Sequence, residues 1–115
     1  MGPEAIIERK TCRQALKLGV RNLKLNVKGQ TGWPDRMFLI PGGRVLFVEF
    51  KAPGMFLSPK QKYIHQVLKK IGYKVKVYDD ADRAIREITR VVEATCIPEK
   101  GGKVSDRARS WRTVP

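Results

Sequence analysis

The sequence is poor in the side chains that build most transition-metal and redox sites. It contains a single histidine, His65, and only two cysteines, Cys12 and Cys96, which lie far apart. One histidine excludes a histidine-rich metal site and argues against a histidine-based catalytic triad, and the cysteines lack the spacing of metal ligands. Because a structural disulfide is not expected in a reducing compartment, we expect both thiols to be free and at least half-buried.

Long apolar runs are also missing. The longest, Val45–Phe50, is interrupted by Glu49, whereas a membrane helix needs roughly 20 apolar residues. The N-terminal residues become charged after a short apolar stretch, which does not fit a secretory signal. These features predict an intracellular protein that does not act in a membrane.

Acidic residues are scarce relative to basic ones. The 115 residues include 24 Lys and Arg against 11 Asp and Glu, which gives a formal net charge of +13. A surplus this large in a small domain is typical of a protein that binds a polyanion through phosphate contacts. The charge does not separate DNA from RNA, or binding from cleavage, and a basic surface without a partner is the alternative.

Hydrophobic periodicity and turn signals predict one α/β domain over residues 1–94, in the order α-β-β-β-α-β-α. The predicted elements are a helix at Pro3–Leu18, strands at Val20–Lys28, Met37–Ile40 and Arg44–Lys51, a helix capped by Ser58, a strand at Lys74–Tyr78, and a helix capped by Asp79 or Asp80. The last two strands are joined through a helix, so we expect them to be parallel in a mixed sheet. Residues 95–115, which include Trp111, are expected to form a flexible basic tail.

Apolar spacing also predicts which faces of the first two helices are buried. On the first helix, the apolar stripe is predicted at Ala5, Cys12, Ala15, Leu16 and Gly19. Glu8 falls within this stripe, where a carboxylate needs compensation. On the second helix, Ser58 and Gln61 have the spacing of a capping box, and the buried face is predicted at Ile64, Val67, Leu68 and Ile71.

A hairpin brings two carboxylates together. Side chains alternate along a strand, so Glu49 and Lys51 lie on one face of the third strand. Pairing about the turn at Gly42 places Asp35 opposite Glu49, because both are seven residues from the turn centre. Like charges in this arrangement require a cation, supplied by Lys51 and by a hard divalent ion such as Mg²⁺ or Mn²⁺.

Each acidic residue also has an ordinary structural explanation. Asp35 follows a Trp-Pro pair where aspartate is common in turns, and Glu49 and Lys51 could form a cross-strand ion pair worth under about 1 kcal/mol. Glu8 could lie at a partly exposed helix edge. Their convergence at one strand edge in a strongly basic protein favours the functional interpretation.

These residues resemble a known pattern. Pro34-Asp35, followed by Glu49-Phe50-Lys51, is similar to the PD-(D/E)xK nuclease motif, and the predicted order matches the αβββαβ core of that restriction-endonuclease-like fold, with an extra C-terminal helix. The closer likeness is to the VRR-NUC (virus-type replication-repair nuclease) branch, over about residues 4–92. It is carried by Gly32-Trp33-Pro34-Asp35, Pro41-Gly42-Gly43-Arg44-Val45, Val48-Glu49-Phe50-Lys51-Ala52-Pro53-Gly54 and Leu57-Ser58-Pro59-Lys60-Gln61.

The resemblance implies a role for each matching residue. Asp35 and Glu49 would bind the catalytic Mg²⁺ or Mn²⁺, together with the main-chain carbonyl of Phe50, and Lys51 would orient or activate the attacking water. Glu8 resembles the family's first-helix glutamate, which could hold or order a second metal ion. Gln61 matches a glutamine beside the site, although its capping role would also explain it completely.

The resemblance further implies an endonuclease that cuts branched DNA, such as four-way junctions, as a homodimer in a bacterial or phage-infected cell. A symmetric pair of sites suits two symmetric cuts across a junction. A non-catalytic nucleic-acid-binding module on the same fold, and an exonuclease or RNase, remain alternatives.

Overall fold

The structure is a computed structural model, and it describes residues 1–95. Its elements are α1 (Pro3–Lys17), β1 (Arg21–Lys24), β2 (Arg36–Ile40), β3 (Arg44–Phe50), α2 (Pro59–Lys70), β4 (Lys74–Tyr78) and α3 (Ala81–Thr95). The order α-β-β-β-α-β-α and the α/β class are those predicted from the sequence. Cys96, Trp111 and nearly all of the predicted basic tail lie outside the described residues.

The sheet is mixed, with strand order β1-β2-β3-β4. The first three strands pair antiparallel, and β4 pairs parallel with β3. This parallel pairing follows from the connection through α2, because a strand that returns by way of a helix can run alongside its predecessor in the same direction. β3 is therefore internal to the sheet, and its last five residues are all buried.

Helices cover both faces of the sheet. On one face, Val48 and Phe50 of β3 belong to a core that includes Ala15 of α1 and Ile88 of α3. On the other face, Phe47 packs in a second core with residues that include Leu68 of α2. The alternation along β3 thus separates two cores, and it directs Glu49 to the face that α2 covers.

β1 is shorter than predicted, because it ends at Lys24 and not at Lys28. Leu25 still donates a backbone hydrogen bond to the carbonyl of Asp35 (2.9 Å), but the chain then turns, with Gln30 bonded to the carbonyl of Val27 (3.1 Å). The apolar alternation continued past the last residue that pairs with β2, so spacing alone overestimated the length of the strand.

The buried helix faces are only partly those predicted, since Ala15 on α1 and Leu68 on α2 are buried as expected. On α1, Leu16 is 61% exposed and Ala5 is also exposed, while the buried side carries Thr11 and Ala15, with Ile7 packed against the core. On α2, the residues predicted as buried that prove exposed are Val67 (39%) and Ile71 (66%), whereas His65 is 3% exposed. Both helices are rotated relative to the prediction, because their docking depends on contacts with the sheet and with α3.

Two smaller expectations concern Cys12 and membranes. Cys12 is free and half-buried, as predicted, and its burial raises the pKa of the thiol. Within the described residues, no helix is both long and apolar enough to cross a lipid bilayer.

Candidate active site

The β2–β3 hairpin positions Asp35. Its outermost pair is Arg36–Val48, so the same register places Asp35 opposite Glu49, as the sequence predicts. Oδ2 of Asp35 accepts a hydrogen bond of 2.8 Å from the backbone N–H of Phe50. This bond ties the carboxylate of one strand to the backbone of the other and fixes it at the end of the hairpin.

Glu49 is the most enclosed acidic group of the site, with 1% of its surface exposed. Its Oε2 lies 4.0 Å from Nζ of Lys51 and 3.3 Å from Nε2 of Gln61. Its Oε1 lies 3.9 Å from Nε2 of His65. β3 therefore supplies the carboxylate, the residue directly after β3 supplies the lysine, and α2 adds an amide and an imidazole.

A third carboxylate joins this pair from α1. Glu4, Asp35 and Glu49 each offer an oxygen within 4.8 Å of the others. Glu4 lies in the first turn of α1, on the same side of the helix as Ile7 and Thr11, which dock against the sheet. The resemblance had assigned the first-helix carboxylate to Glu8, and the structure brings Glu4 to the cluster.

Glu8 lies one turn further along α1 and is engaged elsewhere. Its Oε2 accepts a hydrogen bond of 2.7 Å from Nε of Arg36 and lies 3.9 Å from Nζ of Lys24. Arg36 also donates to Oδ1 of Asn22 at 3.0 Å. The ion pair supplies the compensation that a half-buried acid requires, and the role of Glu8 as a metal ligand stays a prediction.

Burial raises the pKa of both hairpin carboxyls. Burial and the neighbouring charge of Asp35 raise the pKa of Glu49 to about 8, although Lys51 opposes them. Burial also raises the pKa of Asp35, against the hydrogen bond from Phe50 that favours its ionised form. Two carboxyls at this separation cannot both be ionised at low cost without added positive charge.

The site fits a divalent cation on its own chemistry. Three carboxylates converge, and oxygen donors are what Mg²⁺ and Mn²⁺ prefer. Moreover, Oε1 of Glu49 is buried without a hydrogen-bond partner in the described part of the chain. A buried carboxylate oxygen without a donor is costly, so the protein gains from any cation that these groups bind.

Gln61 serves the helix and the site at once. Its Oε1 accepts from the backbone N–H of Ser58 (2.9 Å), and its own backbone N–H donates to Oγ of Ser58 (3.2 Å). The capping box predicted from the sequence is therefore present. With its oxygen occupied in this way, the side-chain amide presents its N–H group to Glu49.

Gly32 allows α2 to approach the loop that precedes Asp35. Its φ is +94°, and a Cβ atom at this position would lie 2.7 Å from the backbone oxygen of Lys60. Only glycine fits such a contact without displacing the first turn of α2. The close approach sets the distance between the loop and the helix that carries Gln61 and His65.

Sequence reasoning overlooked Glu4 and His65. Both had a signal in the sequence: Glu4 shares a helical face with Ile7 and Thr11, and His65 lies one turn after Gln61 between the apolar residues of α2. The structure brings Glu4, Asp35, Glu49, Lys51, Gln61 and His65 together, whereas Glu8 pairs with Arg36.

Comparisons with known proteins show which family the chain is similar to. The family model described as the VRR-NUC domain matches residues 4–81. A protein named "Putative nuclease p44", from Acyrthosiphon pisum secondary endosymbiont phage 1, is 37% identical over 79 residues, which cover 69% of this chain and 85% of that protein.

A solved structure described as "VRR_NUC domain" has a TM-score of 0.71 and 26% identity to this chain, and the match covers 77% of this chain and 97% of that one. The fold is thus shared over nearly the whole of the solved domain. The matched family segment contains all of the clustered residues, from Glu4 to His65. The chain belongs to the VRR-NUC family of nucleases.

Proposed function

We propose that this nuclease is a metal-dependent DNA endonuclease that selects branched DNA, such as four-way junctions, by its structure. The single observation that carries the proposal is the convergence of Glu4, Asp35 and Glu49 beside Lys51. An acidic cluster is an unusual feature on a chain of net charge +13, and a cation bound by these carboxylates would also attract a phosphate group of DNA.

Asp35, Glu49 and Glu4 would hold the ion, together with the main-chain carbonyl of Phe50. When bound, Mg²⁺ or Mn²⁺ would neutralise charge on the scissile phosphate and lower the pKa of the attacking water. The hydrogen bond from the N–H of Phe50 keeps Asp35 in place. The contact with Gln61 does the same for Glu49.

Lys51 provides an ammonium group at the site. Its side chain is 17% exposed and its Nζ lies 4.0 Å from Oε2 of Glu49. An ammonium held in this position can donate to the attacking water or to a phosphate oxygen while it remains charged. Lys51 therefore orients the reacting groups, and its charge also lowers the pKa of Glu49.

Substrate binding would rely on the phosphate backbone. The excess of Lys and Arg supplies phosphate contacts that position a duplex without reading its bases. Among the described elements there is no helix-turn-helix or other module that reads base edges. Selection by DNA shape is the specificity that such a surface can provide.

We also propose that the protein acts as a homodimer. α2 and its C-cap residue carry an exposed apolar row at a spacing of four residues, Tyr63, Val67 and Ile71, on a different side of the helix from Gln61 and His65. An exposed apolar row of this kind is typical of an interaction surface, and a second copy would present a symmetric second site to a junction.

Sedimentation tests the dimer. It should show a dimer that Val67→Glu dissociates, while Ile6→Glu, at a site that is 53% exposed on α1, leaves it intact.

Cleavage of a labelled substrate panel tests the activity. Junction, flap, duplex and single-stranded DNA would be incubated with wild type, Asp35→Asn and Lys51→Ala, with Mg²⁺ or with EDTA. We expect both variants to lose cleavage but to retain DNA binding, and we expect the junction to be cut best. Asp82→Asn is the matched control, because Asp82 is exposed on α3 and forms an ion pair of 3.5 Å with Lys10, outside the acidic cluster.

Each alternative gives a different outcome in this assay. Cutting by Asp35→Asn at the wild-type rate contradicts the assignment of the site. Binding without cleavage in any metal indicates a non-catalytic binding module. Progressive shortening from an end indicates an exonuclease, and cleavage of a matched RNA panel indicates an RNase.

A further inference from the structure

His65 is a buried polar group that the proposed mechanism leaves unused. It is 3% exposed, and its Nε2 has no hydrogen-bond partner within residues 1–95. The atom facing it is Oε1 of Glu49, 3.9 Å away, which is itself buried and unpartnered. Each unsatisfied buried polar atom carries a desolvation cost, and here two such atoms point at each other.

We propose that His65 is a positioning residue, which donates from Nε2 to Oε1 of Glu49 and so holds this carboxylate in the orientation that binds the metal ion. The inference rests on the proposed function, since it assigns a support to one of the proposed metal ligands. A neutral imidazole that carries its proton on Nε2 is a donor toward the carboxylate. Ligating carboxylates in metal sites are commonly held by such hydrogen bonds.

The arrangement of α2 makes this role specific. Gln61 and His65 are four residues apart and therefore lie on the same side of the helix. Gln61 contacts Oε2 of Glu49 at 3.3 Å, and His65 faces Oε1. α2 thus presents one donor to each oxygen of the carboxylate, and both donors move with the helix as a unit.

A separation of 3.9 Å exceeds hydrogen-bond distance, so a shift of somewhat less than about 1 Å is needed to close the contact. Direct coordination of the metal ion by His65 is less favourable than the donor role. Both Nε2 and Oε1 are buried, and the possible ligand atoms that lie within 4.8 Å of one another come from Glu4, Asp35 and Glu49, not from His65. The donor role needs only a small rotation of either side chain.

Manganese binding to the DNA-free protein tests the proposal without relying on cleavage. Free Mn²⁺ would be measured by electron paramagnetic resonance in titrations of wild type, His65→Leu and His65→Gln. We expect His65→Leu to raise the dissociation constant about tenfold, the usual loss when a group that supports a ligand is removed. His65→Gln keeps an amide donor at a similar reach and should stay within about threefold of wild type.

Leu68→Val is the matched control, because Leu68 is buried on α2 one turn beyond His65. It should lower Tm by a few degrees, about 5 °C, without changing the Mn²⁺ dissociation constant. Comparison with this control separates the loss of the donor at His65 from a general loss of packing on α2.

The failure of this inference can be separated from the failure of the proposed function. If wild type binds Mn²⁺, Asp35→Asn does not, and His65→Leu binds as wild type does, then only the role of His65 is overturned. The same conclusion follows if His65→Gln binds as weakly as His65→Leu, or if bound Mn²⁺ shows coupling to an imidazole nitrogen. If wild type does not bind Mn²⁺ at all, the proposed metal site itself is contradicted.

Discussion

Glu4 and Glu8 lie one turn apart on α1, yet Glu4 shares a cluster with Asp35 and Glu49 while Glu8 is bound by Arg36 at 2.7 Å. The two glutamates therefore have different surroundings in spite of their closeness. Glu4 has exposed surface and faces other acids, whereas the side chain of Glu8 is 13% exposed and is neutralised.

The first prediction compares their amides. Glu4→Gln should weaken Mn²⁺ binding by more than about tenfold, because it replaces a negatively charged carboxylate ligand with a neutral amide. Glu8→Gln should instead destabilise the fold by about 1–3 kcal/mol, because it removes a charged hydrogen bond to half-buried Arg36. Mn²⁺ titration and thermal unfolding of both variants measure the two effects, and an exchange of these outcomes would identify Glu8 as the ligand.

The second prediction concerns pH and follows from the raised pKa of Glu49, about 8 against an ordinary 4.5. Between these values, the metal-free folded protein holds a proton that the unfolded chain has released. The proton on Glu49 therefore adds to the free energy of unfolding in full below about pH 4.5, and this stabilisation is lost as the pH rises to about 8. Tm in EDTA should decrease over this interval.

Bound metal should reverse this dependence of Tm on pH, since a cation binds the ionised carboxylate and displaces its proton. The affinity for Mn²⁺ should rise with pH over the same interval. Glu49→Gln is the control, because it cannot titrate: its Tm in EDTA should depend less on pH than that of wild type. Equal slopes for the two proteins would show that the proton resides on another group.

The third prediction separates the two roles of Gln61. Gln61→Glu keeps the acceptor that caps α2 but replaces the donor toward Glu49 with another negative charge. We expect little change in Tm in EDTA and a large loss of cleavage. Ser58→Ala should do the opposite, lowering stability by about 1 kcal/mol through the lost cap, with Mn²⁺ affinity nearly unchanged.

The fourth prediction uses two glycines of similar backbone conformation. A Cβ atom added at Gly32 (φ +94°) would lie 2.7 Å from the backbone oxygen of Lys60. A Cβ atom added at Gly29 (φ +76°) would meet no other atom within 4 Å. Gly29→Ala should therefore show only the backbone strain, about 1–2 kcal/mol. Gly32→Ala should lose more stability than that and should also weaken Mn²⁺ binding, because the start of α2 must shift; equal effects of the two changes would contradict the close-approach role.

The hairpin carboxylates could be predicted because their geometry is local. Alternation places Glu49 and Lys51 on one face, and symmetry about Gly42 pairs Asp35 with Glu49. Both relationships depend only on strand periodicity and turn length, and the observed register agrees with them. The Ser58–Gln61 capping box is local for the same reason.

The helix contributions could not be predicted in the same way. On α1, spacing predicts Leu16 as an inward residue, whereas the structure buries Thr11, because the orientation of the helix depends on how it packs against α3 and the sheet. A rotation of the helix about its axis exchanges Glu4 for other residues at the sheet edge. On α2, the apolar spacing likewise favoured Val67 and Ile71 as buried residues, although the structure exposes both and buries His65.

The three-residue turn Pro41–Gly43 lies at the opposite end of the hairpin from the carboxylates, yet its length decides whether they meet. Adding a single residue there would slide one strand past the other and send Asp35 to the wrong side of the pleat. The length of this turn therefore controls the geometry of the active site, although the turn contributes no side chain to it. Engineered insertions in this tip should abolish metal binding even when every acidic side chain is retained.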